Sequence, residues 1–272
     1  VKLCISQATT MTTPFAQDVK DYAAGGCTAV EVWLTKLEEH LKTTPAADTK
    51  KLVDDLGVTL AAASYQGGLL LSQGEQRRAH FDHFKRRLDL CQFFAIPTLV
   101  VIADFVEEVS APDLPRALAS LAEAAGWAEA FGVRLALEFR GRSRFCASLD
   151  TAASLILALG RPDVGLCLDV FHYYTGPSKF EDLGLLSPEN LFFVQVSDVA
   201  GVPRELATDA DRILPGEGDF LLDPVVEVLR RKGYDSWVSL ELFNPNLWRA
   251  KAHSVAELGL AALRRLVASG GS

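Results

Sequence analysis

Four stretches of this sequence end alike. Val164-Gly-Leu-Cys-Leu-Asp169, Val133-Arg-Leu-Ala-Leu-Glu138 and Trp237-Val-Ser-Leu-Glu241 are apolar runs that stop on an acid. Leu191-Phe-Phe-Val-Gln195 stops on an amide and continues to Asp198. One such oxygen donor at a strand end means little, because it can cap the next helix or pair with an arginine. Taken together, Glu138, Asp169, Gln195 and Glu241 supply three carboxylates and a neutral amide oxygen. Three carboxylates gathered in one place repel, and a divalent cation relieves that repulsion. Hard oxygen donors favour magnesium or manganese over a thiolate-seeking metal. His172 follows Asp169 by three residues. It could reach substrate or water; the bland alternative is a histidine hydrogen-bonded inside a loop.

Other residues carry weaker signals. Trp33 and Tyr65 close two further strand candidates, where they either line a pocket or fill the top layer of a core. The stretch Phe139-Arg140-Gly-Arg142-Ser-Arg144-Phe145 is basic for an acidic protein, and Arg140 could clamp an anion or hydroxyl or simply be solvated. Arg204 could do the same, or could pair with Glu205 or Asp209. His40, His80, His83 and His253 lie in polar helical settings and read as surface residues. Arg77, Arg78, Asp82, Lys85, Arg86 and Arg87 read as one solvated helical face.

The elements that must hold these groups alternate regularly. Strands are expected at 2–6, 29–33, 58–64, 96–102, 133–138, 164–169, 191–196 and 237–242. Helices are expected at 14–24, in a polar stretch to Leu56 broken at Pro45, and at 75–94, 114–131, 149–159, 224–232 and 254–267, with a short one inside 176–186. Glycines close several of them. Eight strand-helix alternations joined mostly by short loops predict an α/β protein, a single (β/α)8 TIM barrel forming one domain over 1–272. No glycine-rich fingerprint follows the first strand, which disfavours a doubly wound open sheet. In a barrel of parallel strands the site lies at the C-terminal strand ends, where all four oxygen donors stand.

Composition narrows the partners. The net charge of −8 argues against a surface built to neutralise nucleic acid. The five cysteines are scattered and lack a C-x-x-C pair, so neither a disulfide framework nor a thiolate zinc site is expected, and a reducing cytoplasm fits. No apolar run has the length of a membrane span, and Val1-Lys-Leu-Cys-Ile reads as a first strand rather than a signal peptide.

Several longer motifs resemble a known family. Lys2-Leu-Cys with Ala8-Thr-Thr10, Leu135-Ala-Leu-Glu138-Phe, Leu168-Asp-Val-Phe-His172, Thr208-Asp-Ala-Asp-Arg212 running into Pro215-Gly-Glu-Gly218, and Val238-Ser-Leu-Glu241-Leu-Phe are similar to the xylose-isomerase-like barrels of sugar-phosphate isomerases and epimerases. Within that superfamily the inosose isomerase branch is the nearest in appearance. The resemblance implies that Glu138, Asp169, Gln195 and Glu241 bind one divalent ion, manganese or magnesium first, with cobalt or zinc as alternatives. It implies that His172 contacts substrate and that Arg204 lies near the substrate-binding arginine. Position 195 departs from the branch, which usually has histidine there; glutamine stands in hydroxypyruvate isomerase and 3-dehydroshikimate dehydratase relatives. The implied substrate is a small sugar or cyclitol, and the resemblance leaves room for a homo-oligomer.

The chemistry implied is proton transfer beside a carbonyl through an enediolate, with Glu138, Glu241 and His172 as the catalytic groups. A dehydratase or lyase uses the same parts but expels a β-hydroxyl. A nucleic-acid endonuclease on this fold would need more histidine ligands and a basic groove, and a silent sugar-binding module is the remaining alternative.

Overall fold

The computed structural model describes residues 1–269. The expected alternation is present: β1 (Lys2–Ser6), α1 (Phe15–Ala24), β2 (Ala29–Trp33), α2 (Leu34–Leu41), α3 (Ala46–Asp55), β3 (Thr59–Gln66), α4 (Gly74–Phe93), β4 (Thr98–Ile102) and α5 (Asp113–Ala130). There follow β5 (Arg134–Glu138), α6 (Leu149–Leu159), β6 (Val164–Asp169), α7 (Val170–Thr175), β7 (Leu191–Val196), α8 (Leu222–Arg231), β8 (Trp237–Leu240) and α9 (Ala252–Ser269). The strands follow chain order around a closed barrel, so the fold is the (β/α)8 barrel that the alternation predicts. Among the described residues no helix is long and apolar enough to cross a membrane.

Local chemistry explains the boundaries. Pro45 stands in extended conformation between α2 and α3 and splits the polar helical stretch where expected. Ser148 caps α6 by accepting from the Thr151 amide at 3.2 Å, and Gly160 ends it in the left-handed region at φ 63°. Short elements near the strand ends were not foreseen, two of them beside β1 and β6. A 3-10 turn, Gln7–Thr10, follows β1, and α7 begins directly on the acid that closes β6.

The chain divides into two compact units, residues 1–61 with the chain from Val194 onward, and Ala62–Phe193. Both divisions fall inside a strand, in β3 and β7, rather than in a linker. In the first unit β1 pairs with β2 (Ser6 opposite Glu31) and with β8 (Cys4 opposite Ser239, Ile5 opposite Leu240). In the second unit β4 pairs with β5 and β5 with β6, with Glu138 opposite Cys167. All six residues of β6 are buried, as a parallel strand covered on both faces requires.

Three readings of the polar residues are corrected. Arg87 is buried, not solvated, because its guanidinium donates to the Tyr65 carbonyl at 2.6 Å. The four histidines read as surface residues are half-buried. His40 stacks on Phe15 with ring centroids 5.5 Å apart, and His80 Nδ1 lies 3.1 Å from the Gly68 carbonyl. Asp198 is no free oxygen donor: it accepts from the amides of Val199, Gly216, Gly218 and Phe220 at 2.9–3.0 Å and so knots the loop after β7. Gly218 is required there, since a Cβ would lie 2.3 Å from the Asp198 carboxylate.

Candidate active site

The second unit brings together the residues at the ends of β5 and β6. Glu138 is in register with Cys167, and Asp169 lies two residues further along β6, so both acids project from the same face. His172 sits one turn into α7, which starts because Asp169 Oδ1 accepts from the Phe171 amide at 2.8 Å and caps it. That turn swings the imidazole back over the strand ends. Its Nε2 stands 3.4 Å from Glu138 Oε1 and 3.6 Å from Asp169 Oδ2. All three residues are buried, and one donor atom from each lies within 4.8 Å of the others.

Arg140 closes one side of this cluster. Its guanidinium is 3.6 Å from Glu138 Oε1 and 5.2 Å from the ring centre of Phe105. The loop that carries it can cross the end of α7 because two glycines meet there. A Cβ on Gly141 would come within 2.8 Å of Gly176 Cα.

A second cluster lies in the first unit. Glu241 follows the last residue of β8, and its backbone is tightly held: its amide donates to the Val196 carbonyl at 3.1 Å. Thr9 Oγ1 donates to Leu240 O and accepts from the Leu242 amide, both at 3.1 Å. Gln195 is fully buried, and its Nε2 donates to Glu241 Oε1 at 3.0 Å and to Glu31 Oε1 at 2.8 Å. Ser239 Oγ donates to the other oxygen of Glu31 at 2.5 Å. Arg212 Nη1 lies 3.5 Å from Glu241 Oε2, while its Nε and Nη2 donate to Asp209 Oδ1 at 3.0 and 2.8 Å.

The remaining candidates are placed as follows. Trp33 is half-buried at the end of β2, its ring edge-on to Phe243 at 5.5 Å. Tyr65, near the end of β3, is 37% exposed. Arg204 stands on an exposed loop 3.4 Å from Glu205, so the pairing alternative for that residue is the one observed. The buried arginine of this segment is Arg212. Glu31 and Arg212 were not among the candidate site residues. A charge in the middle of Ala-Val-Glu-Val-Trp was the signal for Glu31; Arg212 lay inside a quoted motif without an assigned role.

All five cysteines are buried and none is in a disulfide, and burial pushes the thiols of Cys91 and Cys146 up to about 12. The donors described in the two clusters are carboxylate and amide oxygens and one imidazole.

The model of the xylose isomerase-like TIM barrel family matches residues 19–266, and the chain belongs to that family. An inosose isomerase of Halalkalibacterium halodurans is 28% identical over 260 residues, 93% of this chain and 91% of that protein. A 3-dehydroshikimate dehydratase of Pseudomonas aeruginosa is 25% identical over 244 residues, covering 89% of this chain but 38% of that protein. A crystal structure of the IOLI protein with a bound zinc atom superposes with a TM-score of 0.91 at 24% identity, covering 100% of both chains.

Proposed function

We propose that this chain is a divalent-metal-dependent isomerase or epimerase of a small polyhydroxy ketone, a keto-inositol or ketose, acting by proton transfer beside the carbonyl. The observation that carries this reading is the buried group of Glu138, Asp169 and His172, whose donor atoms lie within 4.8 Å of one another. Buried acids at that spacing are costly unless a cation shares them, and their donor set suits a hard or borderline ion. Glu138, Asp169, Gln195 and Glu241 are proposed as ligands of one such ion, each standing at or beside the C-terminal end of its own strand. Manganese and magnesium fit the oxygen donors; zinc, the ion bound in the IOLI protein, and cobalt are the alternatives.

When bound, the ion supplies Lewis acidity that polarises a carbonyl and acidifies the neighbouring C–H. The chain's own groups do the rest. Glu138 and Glu241 are the carboxylates proposed to remove and return the proton. His172 and Arg212 are proposed to hold substrate oxygens, His172 from beside Glu138 and Arg212 from beside Glu241. Arg140, Trp33 and Tyr65 are the proposed lining residues, with Arg204 further out.

The inosose isomerase relatives support the isomerase outcome, and the dehydratase relative supports a second reading in which the same proton abstraction expels a β-hydroxyl. The test is incubation of the purified chain, loaded in turn with manganese, magnesium, cobalt and zinc, with keto-inositols or ketoses in heavy water. Deuterium entering a carbon beside the carbonyl, with no ultraviolet-absorbing product, is the expected result. An unsaturated, ultraviolet-absorbing product assigns the lyase outcome, and neither result with any of the four metals rejects both.

A further inference from the structure

We propose that Glu31 is a positioning residue that fixes Gln195 with its amide oxygen, rather than its nitrogen, toward the cation. This rests on the reading of Gln195 as a metal ligand. A glutamine side chain has two faces of nearly equal shape and opposite polarity, and only its surroundings decide which atom points where. Here the decision is forced. Nε2 carries two hydrogens, and two carboxylate oxygens take them: Glu31 Oε1 at 2.8 Å and Glu241 Oε1 at 3.0 Å. Ionised carboxylates only accept, so the flipped amide would set Oε1 against two like partners. Oε1 is thereby left on the opposite edge of the amide, turned away from both carboxylates.

The register explains how Glu31 comes to be there. Ser6 of β1 lies opposite Glu31, and Cys4 lies opposite Ser239. Cys4 and Ser6 share a face of β1, so Glu31 and Ser239 flank that face from either side. Ser239 Oγ then reaches Glu31 Oε2 at 2.5 Å and leaves Oε1 aimed at Gln195. Glu31, Ser239 and Gln195 are all 0% exposed. A carboxylate in such a place is costly, and a neutral glutamine of the same shape would bury more easily. What only the acid provides is an acceptor on both oxygens. The consequence is chemical: residue 195 offers the cation a hard oxygen, and Glu31 is the reason.

The experiment measures manganese binding to the metal-free full chain by calorimetry, for wild type, Glu31→Gln, Glu31→Asp, Ser239→Ala and Gln195→Ala. Glu31→Gln is expected to weaken binding roughly tenfold or more, as loss of an orienting partner does, with partial recovery in Glu31→Asp. A second readout needs no metal. In a 15N-glutamine-labelled chain, the side-chain NH2 signals of Gln195, assigned by their loss in Gln195→Ala, should exchange slowly in wild type and rapidly in Glu31→Gln. If Glu31→Gln fails to fold, Ser239→Ala loosens the same carboxylate and should move both readouts in the same direction by a smaller factor. Manganese affinity within about twofold of wild type in Glu31→Gln, or in Ser239→Ala where the former does not fold, overturns the positioning role, provided Gln195→Ala still loses about tenfold. An unchanged affinity in Gln195→Ala as well removes residue 195 from the ion and overturns both readings.

Discussion

His172 Nε2 stands 3.4 Å from Glu138 Oε1 and 3.6 Å from Asp169 Oδ2, an imidazole presented to two buried acids at once. Such a group either holds a substrate oxygen or joins the ion as a further ligand, and the two roles separate in one variant. His172→Asn is expected to lower kcat/KM roughly 100-fold. Manganese affinity should change by less than about threefold, because the proposed carboxylate and amide ligands remain. Loss of the metal in parallel with activity would move His172 from the substrate to the ion.

Glu241 separates chemistry from folding. Its backbone is held by Val196 and, through its neighbours, by Thr9, none of which uses the carboxylate. Glu241→Gln should therefore melt within a few degrees of wild type while turnover falls by roughly a thousandfold or more, since a proton-transfer group and a ligand charge are lost together. Unchanged kcat would remove Glu241 from the reaction.

The two arginines of the loop after β7 make an internal control. Arg212 is buried and spreads its guanidinium between Asp209 and Glu241, a fork that lysine cannot reproduce. Arg204 is exposed beside Glu205. Arg212→Lys should lower kcat/KM by roughly tenfold to a hundredfold, and Arg204→Ala by less than about twofold. Steady-state kinetics of the two variants on one substrate decide between them, and the reverse order would return the substrate-binding role to Arg204.

These assignments show where sequence reading reaches and where it stops. Glu138, Asp169, Gln195 and Glu241 stand out because each breaks a buried apolar run at its end, a contrast that needs only one dimension. Glu31 breaks such a run in the middle, where no strand end marks it as a donor. Only the register of β1 with its two neighbours shows that it faces Ser239 and Gln195. Arg87 falls in a helical charged stripe whose period cannot tell a residue facing water from one reaching a carbonyl on β3. Arg212 and Asp198 lie in a loop without periodicity, so their partners, Glu241 and a ring of backbone amides, are set by folding alone. The barrel itself was legible, because alternation and strand length are periodic properties.

Stability should also carry a pH signature away from the site. Asp18 is fully buried, and burial raises its carboxyl from 3.8 to about 7, against the lowering pull of Lys36, whose Nζ is 2.6 Å away. A folded value above the unfolded one means that the native chain holds the proton more tightly. The stabilisation is therefore complete below about pH 4 and is lost as pH rises through about 7. Lys36 is lowered by its own burial and carries the opposite sign, losing its contribution only as pH falls through its folded value. Asp18→Asn keeps a neutral side chain at all pH values, so its melting temperature should gain on wild type between about pH 5 and 8. Parallel pH profiles for the two proteins would place the Asp18 titration outside this range.

Gln195→His exchanges the one proposed donor that departs from the pattern of the resembling isomerases. An amide oxygen is neutral and weakly basic, whereas imidazole is a stronger donor that suits zinc, cobalt and manganese better than magnesium. A ligating histidine also needs an acceptor for its second nitrogen. Glu31 already stands 2.8 Å from the atom that the imidazole N–H would replace, so the variant is expected to bind metal. It cannot, however, satisfy both carboxylates. Gln195 gives one hydrogen to Glu31 and one to Glu241, while a neutral ligating imidazole has one N–H to give. Glu241 then loses its 3.0 Å partner and, with it, part of what holds the carboxylate in place. The expected outcome is a shift of metal preference toward zinc and cobalt together with lower activity. Metal analysis and rate measurements after reconstitution with magnesium, manganese, cobalt and zinc in turn check it. An unchanged rank order of the four metals would mean that the side chain at 195 does not touch the ion.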